Sequence, residues 1–173
     1  NNDITDITEI SKPQAAKRNR LDWRGFLNAV PDLENYTGLP ITHSVNMTGT
    51  GLAILRMDNK KIYTSVDYGK YGGGHGHPDR LNLNLFINGR RWLSDWGTCN
   101  YYLEHLKWYR STIGHNTLVV DCSDQLPVDG KCVIFEETSM VSIASCQADE
   151  IAPDVDSSRT VILLKRHGIL FDF

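Results

Sequence analysis

The stretch Tyr71–Asp79 reads YGGGHGHPD, with His75 and His77 one residue apart. A third histidine, His115, follows in YRSTIGHNT, and an acid, Asp95, lies between them in RRWLSDWGT. Two imidazoles and a carboxylate on neighbouring β segments form a binding set for a divalent transition metal, most simply zinc. Each imidazole binds neutral through one nitrogen, and the carboxylate lowers the net charge of the ion. In a regular strand His75 and His77 would face the same side, so both could ligate. A bend at Gly76 would instead send one to the metal and the other into a cleft. The residues alone leave both open.

The same histidines fit a second pattern. His77-Pro78-Asp79 with His115 spells His-x-Asp…His, the facial triad of non-haem iron(II) oxygenases on a jelly roll. The segment after His115, NTLVVDCSDQL, holds no Arg or Lys to grip a 2-oxoglutarate carboxylate. The cupin pattern fails as well, because Leu81 stands where a Glu is needed. Asp79 against Asp95 separates the two patterns. Other polar and aromatic residues point to a sugar: Tyr101, Tyr102, Trp108 and Tyr109 offer flat faces, and Arg110 can grip a carboxylate or sulfate bidentately. Trp92 and Trp96 read as core and loop packing, and His43, His105 and His167 as satisfied polar residues.

The elements that must position these groups read as all-β. Residues 1–21 are polar, with one Pro, and read as a linker or lead-in. Residues 22–173 form the domain, opened by one short N-terminal helix: Trp23, Phe26, Leu27 and Val30 recur at helical spacing between the cap Asp22 and the stop Pro31. Everything after it reads as strand. GLAILRMD and KKIYTSVDYG flank Asp58-Asn59, and RLNLNLFI and RRWLSDW flank Asn88-Gly89, a strong two-residue hairpin signal. Leu81, Leu83 and Leu85 alternate with Asn82 and Asn84, the period of a half-buried strand. HNTLVVDC, KCVIFEET, MVSIASCQA and RTVILLKRHGILFDF follow. Many short strands with turns between them predict an antiparallel β-sandwich or barrel. The apolar final strand, GILFDF, predicts a fragment of a longer protein, truncated at this end.

Composition excludes several classes. Lys and Arg total 18 against 21 Asp and Glu, a net charge of −3, which gives no basic field for nucleic acid. No apolar run approaches the roughly 20 residues of a membrane span, and the first twenty residues lack a signal peptide's apolar centre. Cys99, Cys122, Cys132 and Cys146 contain no CxxC pair and read as buried thiols. Cys122 and Cys132, ten apart, are the pair a turn could bridge.

GGGHGHPDRLNLNLFINGRRWLSDWGT followed by WYRSTIGHNTLVVDCSDQ resembles the heparinase II/III-like family of bacterial polysaccharide lyases. The resemblance covers about residues 50–125 strongly. It implies an antiparallel β-sandwich that is part of a larger lyase β-domain, cleaving heparin-, heparan sulfate- or alginate-like uronic-acid polysaccharide by β-elimination. It also implies one structural zinc per chain on His77, Asp95 and His115, and a catalytic His75 facing the cleft. Arg110, Tyr102 and Tyr109 match the substrate-lining region. The family's base and acid sit on a helical N-terminal toroid that this sequence lacks, so the expected partners are an acidic polysaccharide and that toroid of the same parent chain. The fragment alone is expected to be inactive, and the parent to be periplasmic or secreted by a bacterium. A non-catalytic carbohydrate-binding or scaffold sandwich is the alternative reading.

Overall fold

The computed structural model describes residues 42–57, 62–99 and 104–173. The expected lead-in, the helix over 22–30, the Asp58-Asn59 turn, Tyr101 and Tyr102 lie outside them.

Two antiparallel sheets carry the fold. The first has five strands in sequence order: β1 (Val45–Met47), β2 (Leu52–Met57), β3 (Ile62–Asp67), β4 (Asn82–Ile87) and β5 (Arg90–Leu93). The second has four, also in order: β6 (Gly130–Glu137), β7 (Val141–Ala152), β8 (Val155–Leu164) and β9 (Ile169–Asp172). Alternation builds the core between them. Ala53, Leu55 and Met57 of β2, with Val66 and Leu83, are buried from one side; Ala144, Cys146, Ala148, Val161 and Leu163 come from the other. Period-two burial of this kind places one face of each sheet against its partner. Polar cross-links join the layers, including Ser44 Oγ to Ser142 Oγ at 2.8 Å. Arg159 Nη1 donates at 2.6 Å to the carbonyls of Leu81 and Asn116, and its Nε reaches Asp172 at 2.9 Å.

The Asn88-Gly89 hairpin forms as expected. Asn88 (φ 51°) and Gly89 (φ 75°) both take left-handed angles, the pair a type I′ turn requires, and Ile87 pairs with Arg90.

Several expectations fail between the sheets. Leu81 is not in a strand: it sits at φ 63°, 2% exposed, with its N–H on the Asp67 carbonyl at 2.7 Å, and β4 begins one residue later. A buried leucine at a left-handed φ is a strained backbone position. Asp79 and Arg80, just before it, are buried. HNTLVVDC is not a strand either and makes only an isolated bridge, Val120 to Ser123. Asp121 (φ 50°) and Cys122 (φ 57°) break the extended path there. A short helix α1 (Leu106–Arg110) and two 3-10 turns, Gly73–His75 and Thr112–Gly114, interrupt what reads as all strand. Asp95 lies beyond the end of β5 rather than within it. Trp92 and Trp96, expected as packing residues, are 65% and 63% exposed. Trp92 lies on β5, which among the described residues is an edge strand with residues 90–92 exposed.

Candidate metal and substrate site

Three loop segments converge on the buried N-terminal end of β4. The first, Tyr71–Asp79, is shaped by glycine. Gly72 (φ 78°) and Gly73 (φ 65°) turn it into the 3-10 turn that ends at His75. Gly76 takes ordinary extended angles (φ −78°, ψ 160°), so its conformational freedom is not what the site uses. A Cβ there would stand 1.6 Å from the Tyr71 carbonyl oxygen; close approach is what demands glycine. The effect is the divergence that sequence left open. His75 is exposed on the turn, while His77 is half-buried and faces His115.

The second segment holds His115, which is 8% exposed. The fully buried Thr112 ties down the turn before it. Its N–H donates to Asp124 Oδ1 at 2.7 Å, and its hydroxyl donates to the Pro78 carbonyl at 2.6 Å. The third segment carries Asp95. Its backbone N–H donates to Asn84 Oδ1 at 2.9 Å, and its Oδ2 accepts from Asn82 Nδ2 at 2.6 Å. Asn82 also accepts the N–H of Asn116 through Oδ1 at 2.9 Å, so one buried side chain fixes the neighbours of both Asp95 and His115.

At the centre, His115 Nδ1 lies 3.0 Å from Asp95 Oδ2, and His115 Nε2 lies 3.2 Å from His77 Nδ1. Burial works against a charge on His115, but the hydrogen bond and charge of Asp95, with the charge of Asp79, outweigh it and raise its pKa. Burial lowers that of His77, and the charge of His115 lowers it further. His115 holds Asp95 below the ordinary carboxylate value against the effect of burial. When His115 carries both ring protons, Nδ1–H donates to Asp95 and the proton on Nε2 is shared with a neutral His77. A cation can take that proton's place. Two nitrogens at about 2.0–2.1 Å from a tetrahedral zinc stand about 3.3 Å apart, and the observed 3.2 Å matches that spacing.

The carboxylate has two sources. Asp95 orients His115 directly. Asp79 Oδ2 is 4.0 Å from His115 Nδ1, and donor atoms of His77, Asp79 and His115 all lie within 4.8 Å of one another. The other oxygen of Asp79 is bound by the buried Arg80, whose Nη1 also donates to the Gly69 carbonyl at 2.6 Å. Gln125 completes this floor, accepting the Arg80 N–H at 2.8 Å and donating to the Leu118 carbonyl at 3.0 Å.

Of the expected substrate residues, Arg110 joins the site directly: its Nη2 donates to the Gly76 carbonyl at 3.2 Å, between the two histidines. Tyr109 is half-buried, and its backbone bonds His115. Its ring stands edge-on to Trp108 at 5.2 Å, and Trp108 to Trp96 at 6.3 Å. Sequence reasoning missed Asn82, Asn84, Thr112 and Gln125. Only the asparagines left a signal, as two amide side chains on one strand face where charge or threonine is commoner.

The family model for the heparinase II/III-like C-terminal domain matches residues 40–157. An alginate lyase of Stenotrophomonas maltophilia strain K279a is 31% identical over 135 residues, covering 66% of this chain and 18% of the relative. An exo-oligoalginate lyase of Saccharophagus degradans is 43% identical over 61 residues, 29% of this chain and 8% of the relative. Among solved structures, a heparan sulfate lyase of Pedobacter heparinus superimposes with a TM-score of 0.66 at 22% identity, over 73% of this chain and 21% of that one. A heparinase III gives 0.64 at 20% identity over the same shares. The chain thus spans about a fifth of the first of these lyases' lengths.

Proposed function

Because the chain belongs to the heparinase II/III-like C-terminal family, we propose that it is the β-domain of a bacterial polysaccharide lyase that cleaves a uronic-acid polymer by β-elimination. The observation that supports this most is the pairing of an anchored histidine with a presented one. His77 pairs with His115, which Asp95 holds in turn, and His75, two residues away, lies on the exposed turn while Arg110 donates to the carbonyl between them.

The chemistry explains why such a pairing is useful. The proton beside a uronate carboxylate is weakly acidic, and its removal leaves charge on that carboxylate. Donors aimed at the carboxylate make the charge tolerable, and a positioned base takes the proton. In this reading His75 is the catalytic donor of the domain, and Arg110 with Tyr109 and Tyr102 lines the substrate path. The base and acid belong to a helical toroid elsewhere in the parent chain. The isolated 173-residue chain is therefore inert, and the parent acts outside the bacterial cytoplasm, in the periplasm or secreted. Among the described residues no helix is long and apolar enough to cross a membrane.

One zinc ion per chain is part of the same reading. His77 and His115 would hold it, with Asp95 as the carboxylate the family resemblance implies. It would tie three loops together and fix the position from which His75 projects. The group His77, Asp79 and His115 supports a second ligand assignment, in which Asp79 binds the ion and Asp95 orients His115 from behind. Metal content of Asp95→Asn and Asp79→Asn decides between them, since the ligand's variant loses the ion more completely.

The functional test uses the full-length parent with alginate and heparan sulfate, following the ultraviolet absorbance of the unsaturated product. His75→Ala should keep the fold and the metal and lose turnover. Full turnover by that variant, or turnover by the isolated chain, contradicts the assignment. Polysaccharide binding by the parent without turnover would favour a non-catalytic module, for which the exposed Trp92, Trp96 and Trp108 offer stacking faces.

A further inference from the structure

The regular part of the fold contains a feature the site does not use. Cys132 on β6 and Cys146 on β7 are direct cross-strand partners in the antiparallel register. The Cys132 thiol donates to the Ile134 carbonyl at 3.3 Å, across the register shift. Cys146 is fully buried in the core and Cys132 is half-buried. Cys122, the partner that sequence spacing suggests for Cys132, sits exposed in the turn around Asp121.

We propose that Cys132 and Cys146 form a cross-strand disulfide when the protein meets an oxidising thiol–disulfide environment. Directly opposed antiparallel residues have Cβ atoms about 4.5–5.5 Å apart, and a disulfide needs about 3.5–4.5 Å. The strands must therefore close by only about 1 Å. β6 can supply that movement. Among the described residues it is the edge strand of its sheet, and its register already shifts beside Cys132, where Val133 has no partner on β7.

The oxidant is a small-molecule disulfide, RSSR. The more accessible Cys132 thiolate attacks one sulfur, forming a mixed disulfide and releasing one RS⁻. Cys146 then gives up its proton, and its sulfur attacks Cys132 Sγ, expelling the second RS⁻. Two protein S–H bonds and one small-molecule S–S bond become one protein S–S bond and two RSH. The protein is oxidised by two electrons, and RSSR is reduced by two. Burial pushes both thiols above their ordinary values, so few thiolates are present at neutral pH and the exchange is slow.

The test incubates the folded chain with glutathione disulfide, quenches in acid, alkylates under denaturant and digests with trypsin. No Lys or Arg lies between Lys131 and Arg159, so both cysteines fall in one tryptic peptide. The expected peptide carries no alkyl group, is about 2 mass units lighter than the dithiol form (the two hydrogens lost on oxidation), and takes up two alkyl groups after reduction. The unfolding midpoint in urea should fall when wild type is reduced and should ignore reductant in Cys132→Ser. Two alkyl groups without reduction, a glutathione adduct that stays on Cys132, or a link to Cys122 would each overturn the proposal.

Discussion

In the four-stranded sheet, β7 buries Ser142, Ala144, Cys146 and Ala148 at alternate positions, and strands on both sides satisfy its backbone. Around the site the backbone has few such ladders. Its groups are satisfied by buried and half-buried side chains instead: Asn82 and Asn84 hold the Asp95 and Asn116 segments, Thr112 holds the Pro78 carbonyl, and Gln125 spans Arg80 and Leu118. The sheet spreads its stability over many apolar contacts of similar kind. The loops concentrate theirs in a handful of amides and hydroxyls, each of which leaves several partners unsatisfied if removed. The lesson is that one substitution in the sheet lowers stability, whereas one in the loops moves the chemistry.

The largest effect on stability belongs to the sheet. Leu163 is 0% exposed, and Leu163→Ala should cost about 2–5 kcal/mol, read from the urea midpoint. The protein that remains folded should still bind metal as wild type does. A lost metal site at full stability would break the contrast. Next comes Asn82→Ala: Asn82 is 2% exposed, and its loss removes an anchor of Asp95 and the partner of the Asn116 N–H. It should cost about 1–3 kcal/mol and weaken metal affinity by about 10–100-fold, as loss of a supporting contact does. Zinc titration followed by calorimetry checks both. A stability loss with unchanged affinity would show that Asn82 belongs with the sheet rather than with the site.

These contrasts explain what the sequence disclosed. The strands β2, β7 and β8 follow alternation, and Asn88-Gly89 announces its own turn, because those signals are local. The pairing of His77 with His115 was legible from residue type, since few other residues bind a metal. The paths of residues 94–99 and 104–128 were not. Their shape depends on Thr112 meeting Asp124 and on Gln125 meeting Arg80, contacts set by tertiary packing with no period in sequence. The exposure of Trp92 and Trp96 was hidden for a related reason: aromatic residues look alike whether they fill a core or stand on a surface.

The smallest expected effect lies at the rim of the sheet. Burial favours a protonated Glu137, but hydrogen bonds from Lys165, Ser142 and Ser44 outweigh it and hold the carboxyl below its ordinary 4.5. The folded value is depressed, so the stabilisation is fully present above the unfolded value and fades as pH falls through the folded one. Glu137→Gln should lower stability by under about 1 kcal/mol near neutral pH. The difference from wild type should vanish in acid. Urea midpoints across that pH range test it, and a gap that widens on acidification would reverse the sign.

The central claim, that one imidazole of the His-Gly-His pair anchors a metal and the other is presented to substrate, is tested by zinc content. Wild type, His75→Ala and His77→Ala would be dialysed against zinc, freed of excess and measured by elemental analysis. The account predicts about one equivalent for wild type and His75→Ala and almost none for His77→Ala. No zinc in wild type, or a site emptied equally by both substitutions, would contradict it.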